Sequence, residues 1–218
     1  GICGVIVQWR TVARAFKGLG KVFSRKSAIM DEMEAIETPM SWFAAGQIIS
    51  LIALGYLAHE TFQMPYWQSA LAVVLSFALA LVACRVTGET DTTPIGAMGK
   101  VTQLTFGALN PGNVNVNLMS ANITAAAAGS SADLLTDLKS GYLLGAHPRK
   151  QFIAQFAGIF IGTVVSVFAF TLVVNKPEII GSDQFPAPAA QTWAAVAKAL
   201  SHGLESLAPV KIWSIVIG

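Results

Sequence analysis

Hydrophobic positions run in long blocks along this chain, and the charged positions fall between them. Thr38–His59 contains no Asp, Glu, Lys or Arg, Thr61–Cys84 runs 24 residues without one, Val101–Ala132 runs 32, and Gln151–Asn175 runs 25. A helix needs about 20 apolar residues to cross the hydrocarbon of a bilayer. Three blocks therefore predict spanning helices, roughly Trp42–Ala58, Pro65–Ala83 and Phe152–Val174, the second opening on a proline, which a helix tolerates at its start. Residues 1–8 and 209–218 read as the end and the start of two further spans, so the sequence is expected to be a piece of a longer membrane protein. The expected fold class is an all-α polytopic membrane protein, a transmembrane helix bundle.

Composition agrees with the blocks. The 218 residues carry only 14 basic and 12 acidic side chains and are 54% hydrophobic, about half the charge of a soluble domain. A net charge of +2 argues against a nucleic-acid partner, which needs cations concentrated on one face of a polar domain. Cys3 and Cys84 lie in or beside apolar runs without ligand spacing and read as small buried hydrophobes. His59 and His202 are far apart with no acidic neighbours at ligand spacing, so no metal site is expected.

The basic residues set the expected orientation. Segments 9–37, 85–100 and 133–150 hold six, two and three Lys and Arg, whereas 59–65 and 176–205 hold only Lys176 and Lys198. The first set should face the cytoplasm. Both ends of the 32-residue gap, Lys100 and the Lys139/Arg149/Lys150 group, then lie on one side. A single crossing would separate them, so 101–132 is predicted to enter and return, or to form two helices broken partway.

Two amphipathic regions complete the outline. On a helix, Trp9, Val12, Phe16, Leu19 and Phe23 share roughly a quarter of the circumference, with Arg10, Arg14, Lys17, Lys21 and Arg25 opposite. That pattern predicts an interfacial cytoplasmic linker over 9–40 with its cations over anionic head groups. Asp31, Glu32, Glu34 and Glu37 form its solvated approach to the core at 41–175. Beyond the core, Pro177, Gly181, Pro186 and Pro188 predict an extracytoplasmic loop, and Gln191–Leu207, with Lys198, His202 and Glu205, reads as a surface helix, so that 176–208 lies outside the membrane.

The candidate chemistry sits in the 32-residue gap. Asn110, Asn113, Asn115, Asn117 and Asn122 fall within thirteen residues, and an unpaired amide in hydrocarbon costs on the order of several kcal/mol. Pro111 and Gly112 break any helix. Asn113, Asn115 and Asn117 alternate, which in extended chain aligns their amides on one side, and Asn117, Ser120 and Thr124 then continue at helical spacing. Irregular backbone survives at membrane depth only where it lines a cavity or is buried in protein, and interrupted helices supply substrate sites in transporters. These side chains are the candidate substrate pathway, the alternative being an amide network that glues helices. Ala125–Ser131, and Gly158 with Gly162, are small-residue runs that permit close helix approach. Asp133 and Asp137, four apart on one helical face, and Glu89 and Asp91 ahead of the segment are candidate proton-coupling or gating carboxylates, with loop charges or ion pairs to Lys100, Lys139 or Arg149 as the plainer alternative.

Ala132-Asp-Leu-Leu-Thr-Asp-Leu-Lys-Ser-Gly-Tyr-Leu143, followed by Pro148-Arg149, closely resembles the Asp-Leu-Met-Gln-Asp-Phe-Lys-Thr-Gly-Tyr-Leu…Pro-Arg signature of the oligopeptide transporter family, in particular its yellow stripe-like branch and bacterial relatives. Leu138 and Ser140 depart mildly from it. Gly88-Glu-Thr-Asp-Thr-Thr-Pro-Ile-Gly-Ala-Met-Gly-Lys100 is similar to the segment that precedes the signature, and Asn110-Pro111-Gly112 matches a run of bacterial members. The resemblance covers most of 40–218, with the signature at 132–150.

The resemblance implies a polytopic secondary transporter that imports short peptides or metal-chelate, siderophore-like substrates in symport with protons, and no enzyme. The matching positions are Asp133, Asp137, Lys139, Gly141 and Tyr142 in the signature and Thr90, Asp91 and Lys100 upstream, and Lys139 and Tyr142 join Glu89, Asp91, Asp133 and Asp137 as proton-coupling or gating candidates. No cofactor is implied beyond the proton gradient. The expected partners are membrane lipid, the small substrate and the missing helices of the same chain, and the expected location is a bacterial inner membrane. A membrane-embedded hydrolase using Asp133 and Asp137 is a second reading, opposed by their shared helix face and by the lack of a His-Glu-x-x-His or Gly-x-Ser-x-Gly motif. A passive channel is a third, and it would need a ring of repeated lining groups.

Overall fold

The structure is a computed structural model that describes residues 35–202. The expected interfacial helix over 9–26, the acids Asp31, Glu32 and Glu34, Cys3, Glu205 and the terminal segments 1–8 and 209–218 lie outside the described residues.

Prolines mark where helices begin. Pro39, Pro65 and Pro94 occupy the N-cap positions of α1 (Met40–Phe62), α2 (Tyr66–Thr90) and α3 (Ile95–Leu109). Pro148 is at the start of α5 (Pro148–Val173), and Pro188 is the first residue of α6 (Pro188–His202). The missing N–H of proline is no loss there, because the first amides of a helix have no intrahelical acceptor. The exception is α4 (Val114–Leu143), which follows the Pro111-Gly112 break and is capped by Asn113. A short 3₁₀ turn, Pro177–Ile179, lies in the loop between α5 and α6.

The described residues are thus all helical apart from turns and two isolated bridges, Ile180 to Phe185 and Ser182 to Phe185. α1, α2 and α5 are long and apolar enough to cross a membrane. They overlap the three predicted spans, but α2 continues past Ala83 to Thr90 and carries Arg85 and Glu89 on its last turns. α4, with 30 residues, is about 45 Å long and is the spine of the molecule.

The core is a trio of helices. α2 and α4 share the most extensive contact, followed by α3 and α4. Leu79, Val82, Ala83 and Val86 of α2 meet Met98 of α3 and Ala128 of α4 in one apolar cluster. A second cluster joins Ala58, Met64, Ala72, Phe106 and Val116, so the α1–α2 turn packs at the level of the α3–α4 connection. α1 and α5 flank this trio, and α5 buries none of its residues. Its outward Phe, Val and Ile side chains suit lipid or further protein.

α3 and α4 form a hairpin. Ile95, at the start of α3, lies against Gly129 of α4, so the polar ends of both helices point the same way, while Asn110 at the tip reaches Gln68 near the start of α2. The expected surface helix, α6, is packed rather than free. Trp193 lies on Gly99 and Leu200 on Gly107, so α6 runs alongside α3 in the same direction and buries Val196, Ala197 and Ala199. Its alanine-rich face made that contact possible, and the three polar residues weighed in the sequence reading concealed it.

Candidate functional site at the broken hairpin

The tip is built by three residues. Gly112 has φ +95°, a backbone conformation that side chains disfavour, and it reverses the chain. Asn113 Oδ1 then accepts a hydrogen bond from Val116 N at 3.0 Å, satisfying one of the free amides at the start of α4. Asn110 Nδ2 donates to Gln68 Oε1 at 3.3 Å, tying the tip to α2. Pro111 and Gly112 are therefore the break the sequence predicts, and Asn110 and Asn113 hold its two sides.

Behind the tip runs a buried polar seam. Asn117 Nδ2 donates to the carbonyl of Gln103 at 2.7 Å, and the hydroxyls of Thr102 and Thr124 lie 2.7 Å apart. Thr124 Oγ1 also donates to the carbonyl of Ser120 at 3.1 Å. Gln103 Nε2 donates to the carbonyl of Trp193 in α6 at 3.0 Å. Thr102, Gln103, Asn117, Ser120 and Thr124 are all buried. Gln103 Oε1, Asn117 Oδ1, Ser120 Oγ and, on α2, Ser69 Oγ make no hydrogen bond, so the seam is well packed but polar beyond what its internal bonds satisfy.

The asparagines do not share one side. The chain is helical from Val114, and residues two apart on a helix point nearly opposite ways. Asn115 is accordingly exposed while Asn117 is buried. The expectation of extended chain over 113–117 fails because the Asn113 cap starts a helix at once. Asn122, exposed on another face of α4, lines a groove of about 560 Å³ between α1, α2 and α4, together with Gln47, Ser50, Thr61, Ser76 and Ser130. The seven pathway candidates thus divide between the tip (Asn110, Asn113), the seam (Asn117, Ser120, Thr124) and outward faces (Asn115, Asn122).

The charged candidates gather elsewhere. Glu89 pairs with Arg85 at 2.7 Å, and Asp91 ends α2 in a left-handed conformation at φ 56°. Asp133 lies one turn beyond the contact of Gly129 with Ile95 and lines a groove of about 340 Å³ between α4 and α5 with Ser130, Ser131 and Gln155. Asp137 Oδ2 accepts from Gln155 Nε2 at 2.9 Å, and its carbonyl accepts from Gln151 Nε2 at 2.6 Å. Lys139 Nζ sits 6.0 Å from the centre of the Tyr142 ring, and both line a third groove with Glu37, Thr38 and Pro148. The carboxylates and the seam are therefore not one cluster, and no group of three or more His, Cys, Asp or Glu that could hold a metal occurs among the described residues.

The signature instead shapes the corner between α4 and α5. The Gln151 side chain occupies the space where any residue but glycine at 141 would place its Cβ. Ala146 N donates to Gly141 O at 2.8 Å and Gly145 N to Tyr142 O at 3.0 Å, with Gly145 at φ +85°, the bond pattern of a Schellman helix end. Arg149 then donates to the carbonyl of Glu37 from Nε at 3.0 Å and from Nη2 at 2.7 Å, and to that of Ala35 at 3.2 Å. Gln68, Thr102, Gln103 and Gln151 escaped the sequence reading, and Arg149 entered it as a signature position and an ion-pair candidate rather than as the tie to the chain before α1. The visible signal for the two glutamines at 68 and 103 was the one used for asparagine, an amide inside a charge-free block.

The family model described as OPT oligopeptide transporter protein matches residues 2–218. A Saccharomyces cerevisiae protein named for oligopeptide transport is 36% identical over 160 residues, covering 72% of this chain and 22% of its own. Two proteins named for metal-nicotianamine transport are similar as well. The one from Oryza sativa subsp. japonica is 27% identical over 180 residues, covering 79% of this chain and 25% of its own. The one from Arabidopsis thaliana is 30% identical over 176 residues, covering 77% and 24%. The chain spans about a quarter or less of the length of these relatives. With its broken hairpin, its signature corner and a family match along nearly its whole length, the chain belongs to the OPT oligopeptide transporter family of multi-pass membrane proteins.

Proposed function

We propose that this chain forms part of a secondary active transporter that imports short peptides or metal chelates in symport with protons. The observation that carries the reading is the α3–α4 hairpin, whose charge-free stretch 101–132 is folded as two helices broken at Asn110-Pro111-Gly112, with uncharged hydrogen-bonding groups along it. Broken helices are where transporters place substrate and ion contacts. The names of the relatives support both substrate classes, peptide and chelate. Asp133 and Asp137, exposed beside α5, are the proposed coupling carboxylates, because a carboxylate next to a membrane-embedded path can load and release a proton. The Asn-Pro-Gly run shared with bacterial members supports a bacterial inner membrane, although the relatives named above are from yeast and plants.

Uptake by the full-length protein in proteoliposomes tests this. Labelled trialanine or a zinc–nicotianamine chelate should enter saturably, accumulate when the outside is about one pH unit more acidic than the lumen, and stop accumulating on addition of a protonophore. Accumulation indifferent to the gradient removes proton symport; no uptake of either solute removes the carrier reading. Unsaturable flux would instead favour a channel.

A further inference from the structure

We propose that the groove between α1, α2 and α4 is a water-filled wall that binds the uncharged, amide-bearing part of a small solute through Gln47, Ser76, Asn122 and Ser130. The inference rests on the carrier reading above and moves the solute contacts away from the hairpin seam. Asn117, Ser120 and Thr124 are buried, whereas the groove is open and about 560 Å³ in volume, within the range of roughly 300–1,000 Å³ that small-molecule sites occupy.

Position and chemistry both point to a solute. Ser76 is the eleventh of 25 residues in α2, which puts the groove at mid-length of a membrane-crossing helix, the depth at which repeat-built transporters hold substrate. On α4, Asn122 and Ser130 stand two turns apart with Ala126 between them, so a polar group flanks a hollow left by a small residue. Gln47 and Ser50 of α1 border the same hollow. Ser76, itself buried, donates from Oγ to Val73 O at 2.7 Å and borders the groove at its base. Gln47, Asn122 and Ser130 make no side-chain hydrogen bond to any described residue.

No Asp, Glu, Lys, Arg or His lines the groove. Its polar groups are amides and hydroxyls set among apolar side chains such as Leu54, Phe62 and Met119, the usual make-up of a small-molecule site, and they match a peptide unit or the amide and hydroxyl edge of a chelate, each presenting donors and acceptors together. A lipid chain has no use for these groups, and leaving them against hydrocarbon is unfavourable.

The test uses the full-length protein with Cys3→Ser, Cys84→Ser and every cysteine outside residues 1–218 replaced by serine as well. Single cysteines are introduced as Gln47→Cys, Asn122→Cys and Ser130→Cys, with Val167→Cys on the exposed apolar face of α5 as the control. A membrane-impermeant methanethiosulfonate should label the groove positions at least about tenfold faster than Val167→Cys, and trialanine or zinc–nicotianamine should slow that labelling; whichever solute protects identifies the class. Asn122→Leu should raise KM for uptake about tenfold, the loss expected when one good hydrogen bond to the solute is removed, with Asn122→Gln restoring part of it. Labelling of the groove as slow as that of Val167→Cys overturns the proposal, since lipid or another helix then fills it. Fast labelling that neither solute slows, with uptake intact, overturns the binding assignment and leaves the carrier reading standing. If uptake of both solutes is absent from the unsubstituted protein, the carrier reading falls, and protection by added solute still decides the groove.

Discussion

Gly99 shows how much a single hydrogen atom decides in this fold. A Cβ there would lie 2.5 Å from two atoms of the Trp193 indole, and a rigid ring packed between helices has little room to shift. Gly99→Ala should lower stability by about 1–3 kcal/mol, the usual cost of overpacking, measured as a fall in the unfolding temperature in detergent. Gly107→Ala should cost less, because its nearest neighbour is the flexible Leu200 side chain at 3.0 Å. The Thr102–Thr124 pair makes a second prediction. Each single change to Val leaves one buried hydroxyl without its 2.7 Å partner and should cost about 1 kcal/mol or more. The double change removes both groups and should cost clearly less than the two singles together.

Among the helices, the connections carry more information than the spans. Gly112 at φ +95° and Gly145 at φ +85° each turn the chain at the end of a helix. Replacing either with Ala should cost about 1 kcal/mol; Pro111→Ala should be milder, since Gly112 makes the reversal. Arg149 ties the α4–α5 corner to the carbonyls before α1 with three hydrogen bonds. Lysine has no planar fork to reproduce them, so Arg149→Lys should loosen the chain ahead of α1, seen as faster proteolysis between the segment at 35–39 and the rest of the molecule. The helices themselves were legible because α1, α2 and α5 are continuous apolar runs. Their ends were read less well: Arg85 and Glu89 suggested a loop, whereas their mutual bond at 2.7 Å keeps them on the last turns of α2.

Across the whole molecule, the carboxylates and the polar seam are separated along α4, with the seam running to Thr124 and the carboxylates beginning at Asp133. In the proposed carrier, α4 and its contacts with α5 are the physical link between them. Asp133→Asn and Asp137→Asn therefore distinguish two roles. A coupling residue, once neutralised, should leave downhill exchange intact and abolish accumulation against a gradient; Asp137, held by Gln155 and Gln151, should lose protein yield as well if its work is to fix the corner. Uptake at an imposed pH gradient, compared with counterflow exchange, measures both.

Apolar block length and the placement of Lys and Arg were enough to read an all-helical membrane protein and to expect 101–132 to enter and return or to form two helices broken partway, because hydrocarbon thickness and the asymmetry of basic loops act on the chain one residue at a time. The signature residues, likewise, were visible as a string. Which side of α4 each asparagine faces was not, because Asn115, Asn117 and Asn122 have the same chemistry and differ only in what packs against them. The burial of Asn117 depends on Gln103 and that of Gly99 on Trp193, the second pair more than 90 residues apart. Such contacts arise from helices meeting in space, and no local pattern of polarity contains them.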